Sequence, residues 1–455
     1  MALSSMIILR LYPLLSFIAQ ACRIPVAFIV VKDSNFLNIY LIVISMTIPA
    51  SYLASEVFQY RYIDLLSLKL SDKISCGILL ITILYVLINY GGIVALFYSL
   101  YIIALLASSI AAYNIRINLG VKYFLVADMV LNMCLTLFVI MVSLTINNFK
   151  LSYALLIVYI GVYLVYTLVA IAKIYLQRMS TSQQVCPKAI AASKAQLHGG
   201  DKVPVHDYIA FVQMLLMLTT QLERAVIGTI YPLFLGFISI AASIHQGWRR
   251  LVLDDAILVD RIFKSQKSLV DIVVNSFNLY FLCSVPVIVI CGGIIWGLKL
   301  LPLEINKFNI FYSLNVLTVK NILALAIIYF AALPSSIVSI NLIRTHTYTP
   351  RKWLIVILLL IQLLLLFMLA LCYTVKHDIP QLPYYVQQLV EFFAQVMTSL
   401  NIIWAILFVT VGINIVLLND FIFSAFDDKE KRRRVFMKSC GWYFVCYSVC
   451  LGVLL

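Results

Sequence analysis

Charge is scarce in this 455-residue chain: Asp, Glu, Lys and Arg make up 11% of it, against 64% hydrophobic residues, and the mean hydropathy is +1.04. That shortage leaves too little polar surface to coat a water-soluble domain of this length, which excludes a soluble globular fold and makes lipid the solvent. The alternating apolar and polar pattern of barrel strands is missing as well. The apolar runs instead last about 20 residues, the length a helix needs to cross hydrocarbon. Backbone groups in hydrocarbon must be satisfied within their own segment, so the spans are α-helices.

Reactive constellations are equally sparse. The ten cysteines form no CxxC pair, and most of them (Cys22, Cys134, Cys283, Cys291, Cys372, Cys446 and Cys450) fall inside apolar runs, where they read as small apolar residues. The five histidines, His198, His206, His245, His346 and His377, are scattered at loops and helix ends with no nucleophile to serve. No nucleotide-binding motif is present, so direct use of ATP is not expected, and neither a metal nor a cofactor is called for. No cleavable signal peptide is evident either, because the first apolar segment is long enough to span and carries Arg23 within it.

What the chain has in abundance is apolar length. Runs near 11–31, 36–57, 74–90, 93–114, 122–146 and 152–174 give six spans, and runs near 207–227, 233–253, 270–298, 318–343, 353–375 and 395–418 give six more. A shorter apolar tail from Cys440 to Leu455 is a possible thirteenth. The stretch from Ile74 to Asn114 is too long for one helix, and Gly91-Gly92 at its centre is the natural hairpin tip. The expected fold is therefore an all-α polytopic membrane protein of twelve spans.

Basic residues test this map, because they concentrate in loops that stay in the cytoplasm. With the N-terminus inside, the odd-numbered loops hold only Lys32, Lys150, Lys299, Lys307, Lys320 and Lys376. Apart from Arg10, Arg23 and Arg224, every other Lys and Arg falls in an even-numbered loop or the basic segment before the tail. The net charge of +14 thus reflects orientation and anionic headgroups, and no nucleic-acid partner is expected. The run Lys429 to Arg434 reads as a stop-transfer or lipid-headgroup cluster. An inner-membrane, multi-pass location with a cytoplasmic N-terminus follows.

The longest polar stretch, Arg178 to Pro204, divides the chain into two blocks of six spans. The expected organisation is an N-terminal lobe at 1–177, a cytoplasmic linker at 178–206, a C-terminal lobe at 207–426, and a basic segment with an apolar tail at 427–455. Loop lengths repeat across the blocks: 58–73 and 254–269 are similar, and 115–121 and 344–352 are both short. An even number of spans per block makes the repeats parallel, related by a pseudo-two-fold axis along the membrane normal, as in transporters that rock two bundles about a central cavity.

Ionisable residues within spans are costly to bury and mark a cavity or a partner. Arg23 lies in the first span and Arg224 in the seventh, corresponding helices of the two blocks; Glu56 closes the second span and Asp128 sits in the fifth. Two arginines facing a shared cavity would offer forked donors to a phosphate or an acidic sugar. The competing assignment for each is structural, by snorkelling or, for Arg224, by pairing with the adjacent Glu223. Asp128 shares a helix face with Asn132 and is either a cation or proton site or a hydrogen-bonded packing residue. Tyr159, Tyr163 and Tyr166 recur at helical spacing, suited to lining a sugar-binding cavity or to ordinary packing.

The segment Gln221-Leu-Glu-Arg-Ala-Val-Ile-Gly228, with Leu235-Gly-Phe-Ile-Ser-Ile-Ala-Ala-Ser-Ile244 after it, resembles the seventh and eighth helices of polysaccharide-repeat flippases. These belong to the multidrug/oligosaccharidyl-lipid/polysaccharide exporter superfamily. Glu223 stands where the family usually has Asp, and Phe237-Ile238-Ser239 replaces its Tyr-containing stretch. Phe281-Leu-Cys-Ser-Val-Pro286 and Gly292-Gly293 with Gly297 agree with the downstream context. The resemblance implies two six-helix lobes around a V-shaped cavity and transfer of an isoprenoid-diphosphate-linked oligosaccharide between leaflets. It implies that Arg23 and Arg224 hold the diphosphate or acidic sugars, that Arg249 and Arg250 help recruit the carrier, and that Asp128 or Glu56 carries a coupling ion. The implied partners are the lipid-linked oligosaccharide, membrane lipids and glycan polymerase machinery.

Two other activities stay open. A drug or cation antiporter of the same fold would show carboxylates in its cavity, whereas the intramembrane charges here lean basic. A polytopic polysaccharide polymerase or ligase would place its largest polar loop outside, whereas the largest loop here is cytoplasmic by charge. A chemoreceptor of the insect type needs seven spans rather than twelve.

Overall fold

The computed structural model describes residues 70–180 and 352–376 continuously, 34–47 as a shorter stretch, and individual positions within 11–31, 215–241, 384–392, 403–412 and 429–449 together with 50, 282 and 324. Among the described residues there are helices and turns and no strand. A 3-10 turn, Ser34–Leu37, leads into α1 (Asn38–Ser45). Then come α2 (Leu70–Tyr90), α3 (Gly92–Leu119), α4 (Val121–Thr145), α5 (Leu151–Ser180) and, in the second half, α6 (Lys352–Lys376).

Glycine sets two of the turns. Gly91 separates α2 from α3 at φ 90°, and Gly120 separates α3 from α4 at φ 93°, a region that side-chain-bearing residues enter only at a cost. Nothing lies within 4 Å of a Cβ built at either position, so conformation rather than space demands glycine there. The sequence loop at 115–121 shrinks accordingly to the single residue Gly120 between helix ends.

Helices α3, α4 and α5 each contain a stretch long and apolar enough to cross a membrane: Gly92–Arg116, Lys122–Thr145 and Leu151–Gln177. Their outer faces are the reverse of a water-soluble surface. Ile93, Leu96 and Ile103 on α3, Leu137, Met141 and Leu144 on α4, and Leu164, Leu168 and Leu176 on α5 are all exposed. Such a continuous apolar exterior, together with three spanning-length helices, marks a helical membrane protein. Several polar side chains within the helices are satisfied locally. Thr82, Ser99, Ser109, Asn114 and Thr167 each donate to the carbonyl four residues earlier.

Helix α3 packs most extensively on α5; α4 covers both, and α2 lies along α3. One apolar core runs from Tyr40 and Leu41 through Tyr98, Leu135, Leu155 and Tyr159 to Phe234, Leu235 and Trp404 of the second half. Phe234 meets Trp404 edge-on, with ring centroids 5.6 Å apart. A smaller cluster joins Leu222 and Val226 to Ile361 and Leu365 of α6 and to Ile406.

The second span departs from the continuous helix expected over 36–57. Its helix stops at Ser45, and Met46 and Thr47 form a turn. Helical backbone is found again at Ala50. The cause is chemical: Pro49 follows four residues after Ser45 and has no N–H to give its carbonyl.

Candidate functional site

Asp128, Asn132 and Thr136 stand at intervals of four residues on α4 and therefore form one polar stripe on an otherwise apolar helix. Arg23, from the first apolar segment, lies against that stripe and is only 7% exposed. Its Nη2 donates to Asn132 Oδ1 at 2.7 Å and to the Asn132 carbonyl at 3.2 Å, and its Nε donates to Thr136 Oγ1 at 3.3 Å. Asn132 Nδ2 in turn donates to Ser16 Oγ at 2.9 Å, and Ser16 Oγ donates to Asp128 Oδ2 at 2.8 Å. Thr136 Oγ1 has the Ala19 carbonyl at 2.7 Å to receive its proton. The carboxylate thus reaches the guanidinium through two neutral groups.

The other side of Arg23 is aromatic. Its guanidinium carbon lies 5.7 Å from the centroid of the Tyr159 ring, a cation–π separation. Tyr159 belongs to a cluster of four tyrosines: its ring centroid is 5.7 Å from that of Tyr40 on α1, 5.9 Å from Tyr101 on α3 and 6.1 Å from Tyr163 one turn along α5. The Tyr40 and Tyr159 hydroxyls are 3.0 Å apart.

Arg224 sits in a different setting. Helical residues 221–228 pass the interrupted end of α1, where Arg224 Nη1 donates to the Ser45 carbonyl at 2.7 Å and Gln221 Nε2 donates to the Met46 carbonyl at 3.3 Å. Tyr98 of α3 donates its hydroxyl to that same Met46 carbonyl. Ser45 Oγ reaches the Leu235 carbonyl at 3.4 Å, and Tyr85 of α2 reaches the Ala225 carbonyl at 3.4 Å. The Nε of Arg224 and the Oε1 of Gln221 are buried with no hydrogen-bond partner among the described residues.

Glu223, expected as a possible partner for Arg224, is 2% exposed and feels both the positive charge of Arg224 and the nearby Thr410 hydroxyl. Among the described residues the two arginines share no hydrogen-bond partner: Arg23 is held by groups of the first half, and Arg224 joins the second half to the first. Asp128, Tyr159 and Tyr163 are drawn into the neighbourhood of Arg23, whereas Glu56, Arg249 and Arg250 lie outside the described residues. Tyr40, Ser16 and Gln221 were not singled out in the sequence. The spacing that brings Thr136 into line with Asn132 was readable there.

Among the described residues no group of His, Cys, Asp and Glu is placed to hold a metal ion. A cavity of about 430 Å³ opens between α3 and α5, lined by Ile110, Ala111, Asn114, Thr167, Ile171 and Tyr175, and begins one turn along α5 from Tyr163 of the tyrosine cluster. No protein-family model, curated protein or solved structure matches the chain.

Proposed function

We propose that the chain moves an isoprenoid-diphosphate-linked oligosaccharide across the cytoplasmic membrane for surface polysaccharide assembly, acting as a transporter and not as an enzyme. The observation that carries this is the state of Arg23. It is a buried cation whose hydrogen-bond partners among the described residues, Asn132 and Thr136, are neutral. The nearest linked carboxylate, Asp128, is reached only through Asn132 and Ser16, three hydrogen bonds away. A guanidinium not cancelled by direct contact with an acid keeps a positive potential in a low-dielectric interior, which suits an anionic cargo. The adjoining tyrosine rings supply the flat faces on which sugars stack. At 7% exposure Arg23 is closed off here, so loading requires the tyrosines to part from it.

Under this proposal the architecture is two six-helix lobes, 1–177 and 207–426, joined by a cytoplasmic linker at 178–206. Further features are a basic segment and tail at 427–455, a cytoplasmic N-terminus and an inner-membrane location. Arg249 and Arg250 recruit the carrier, and Asp128 or Glu56 couples an ion. A second reading, ion-coupled antiport of a cationic compound, is favoured by one observation: Glu223 is a buried carboxylate within a candidate span.

The test is export of surface glycan in cells whose own copy of the gene is deleted. Arg23→Ala and Arg224→Ala are expected to abolish export and the Lys substitutions to retain part of it. Normal surface glycan in both Ala variants removes these residues from the mechanism.

A further inference from the structure

Helices α3 and α5 run in the same direction, because the turn at Gly120 and the turn that follows α4 each reverse the chain. Ala111 and Ile115 of α3 pack on Ala170 and Ile174 of α5, which fixes the register of the pair. The groove between them therefore has two distinct ends. At the end nearest the tyrosine cluster stand Ala107 and Thr167, and the Thr167 hydroxyl is already given to the Tyr163 carbonyl at 2.8 Å. At the other end stand Asn114 and Tyr175. From Thr167 to Tyr175 the groove follows α5 for roughly 12 Å, at about 1.5 Å per residue. Ala107 and Ala111 give it depth that larger side chains would fill.

The surroundings select its occupant. Both walls lie within the spanning stretches Gly92–Arg116 and Leu151–Gln177, so the groove is at the depth of hydrocarbon. Ile171 and Tyr175 on its rim are 57% and 58% exposed, so it opens outward to lipid. Its volume of about 430 Å³ falls within the range of small-molecule sites, about 300–1,000 Å³. The lining is apolar except near the Asn114 and Tyr175 end, where two neutral donors stand ready. Asn114 gives one Nδ2 hydrogen to the Ile110 carbonyl at 2.9 Å and keeps a second, and the Tyr175 hydroxyl makes no hydrogen bond among the described residues. An extended apolar channel that ends in neutral donors matches a hydrocarbon chain that ends in an acceptor.

We propose that this groove is a lipid site: it holds one acyl chain of a bilayer glycerolipid, with the ester carbonyl of that chain facing Tyr175 and Asn114. None of the lining residues is charged. A diphosphate calls for cationic donors, so the carrier of an exported glycan is the wrong occupant and the site is separate from the export reading. Lipid tails are as apolar as leucine, so burial alone does not favour the groove over the surrounding bilayer. Close packing and the two hydrogen bonds to the ester are what distinguish the bound chain.

The test is photo-crosslinking of the full chain in nanodiscs. One sample contains phosphatidylcholine with a diazirine in one acyl chain, and a parallel sample contains a polyprenyl diphosphate carrying the same group. Adducts on 107–114 and 167–175 are compared with those on 80–88 of α2, where Leu80, Ile81, Leu84 and Ile88 are exposed to bulk lipid. The acyl probe is expected to label the groove at least threefold more than α2. Ala107→Phe, which fills the groove from a half-buried position, removes that excess without changing the labelling of α2, and Tyr175→Phe lowers it by at least half. Should Ala107→Phe fail to accumulate, Ile171→Trp on the open rim blocks the same groove. Equal labelling of groove and α2 overturns the site, and so does an excess that survives the blocking variant. Preferential labelling of the groove by the diphosphate probe overturns the acyl assignment, and an unchanged excess in Tyr175→Phe overturns recognition of the ester.

Discussion

Arg23 and Arg224 are the same residue type in apolar stretches of the two halves, yet the chain treats them differently. Arg23 meets side chains: an amide, a hydroxyl and an aromatic face, all of the first half. Arg224 meets the backbone carbonyl of Ser45 at the end of α1, in the other half of the chain, and leaves one of its own donors unmatched among the described residues. A guanidinium integrated by side chains belongs to the bundle that holds it. One bonded to a carbonyl across a boundary belongs to two bodies at once and is the easier to detach.

The sharpest way to break that contrast is to truncate each arginine. Arg23→Ala removes charge-assisted bonds to Asn132 and Thr136 and leaves the Asp128 carboxylate without its distant countercharge, a loss of about 3 kcal/mol read as a lower unfolding midpoint in detergent. Arg224→Ala costs about 2 kcal/mol by removing its charged hydrogen bond to the Ser45 carbonyl. A larger loss in Arg224→Ala than in Arg23→Ala erases the distinction drawn between them.

Smaller changes sharpen it. Gly91→Ala, at φ 90° and ψ 168°, costs about 2 kcal/mol through backbone strain alone, because its new methyl group meets no neighbour. Tyr40→Phe removes one of two hydroxyls 3.0 Å apart in the ring cluster and lowers stability by about 1 kcal/mol, while leaving the contacts of Arg224 intact. Both are checked by the same thermal unfolding series. A larger effect at Tyr40 than at Gly91 contradicts the order.

Much of the bundle was legible because hydrophobic length and glycine are local signals. The runs 74–90, 93–114, 122–146 and 152–174 anticipated α2 to α5 to within a few residues at most ends, and Gly91-Gly92 marked the turn between α2 and α3. The helices overrun the apolar stretches into polar sequence, α3 to Leu119 and α5 to Ser180, because a helix does not stop where hydropathy does. The break after Ser45 was written in Pro49 and passed over, since apolar content alone runs on unbroken through 36–57. Asp128 and Asn132 were seen to share a face, and Thr136 extends it by the same interval. What no periodicity conveys is which helix covers that face: Arg23 approaches from more than 100 residues away, and Tyr40 meets Tyr159 across a comparable separation. Adjacency in sequence told only part of the setting of Glu223 and Arg224: the two charges interact, but the hydrogen bond of Arg224 goes to the Ser45 carbonyl, which no local pattern conveys.

The central claim is that Arg23 holds positive charge in reserve for an anion. Equilibrium binding of farnesyl diphosphate to the purified chain in nanodiscs tests it most directly, with Arg23→Lys and Arg23→Ala measured beside the native protein. Affinity should fall at least tenfold in the Ala variant, about 1.4 kcal/mol, and recover in part with Lys. Undiminished affinity in a folded Arg23→Ala protein contradicts the claim and makes the buried guanidinium a packing element alone.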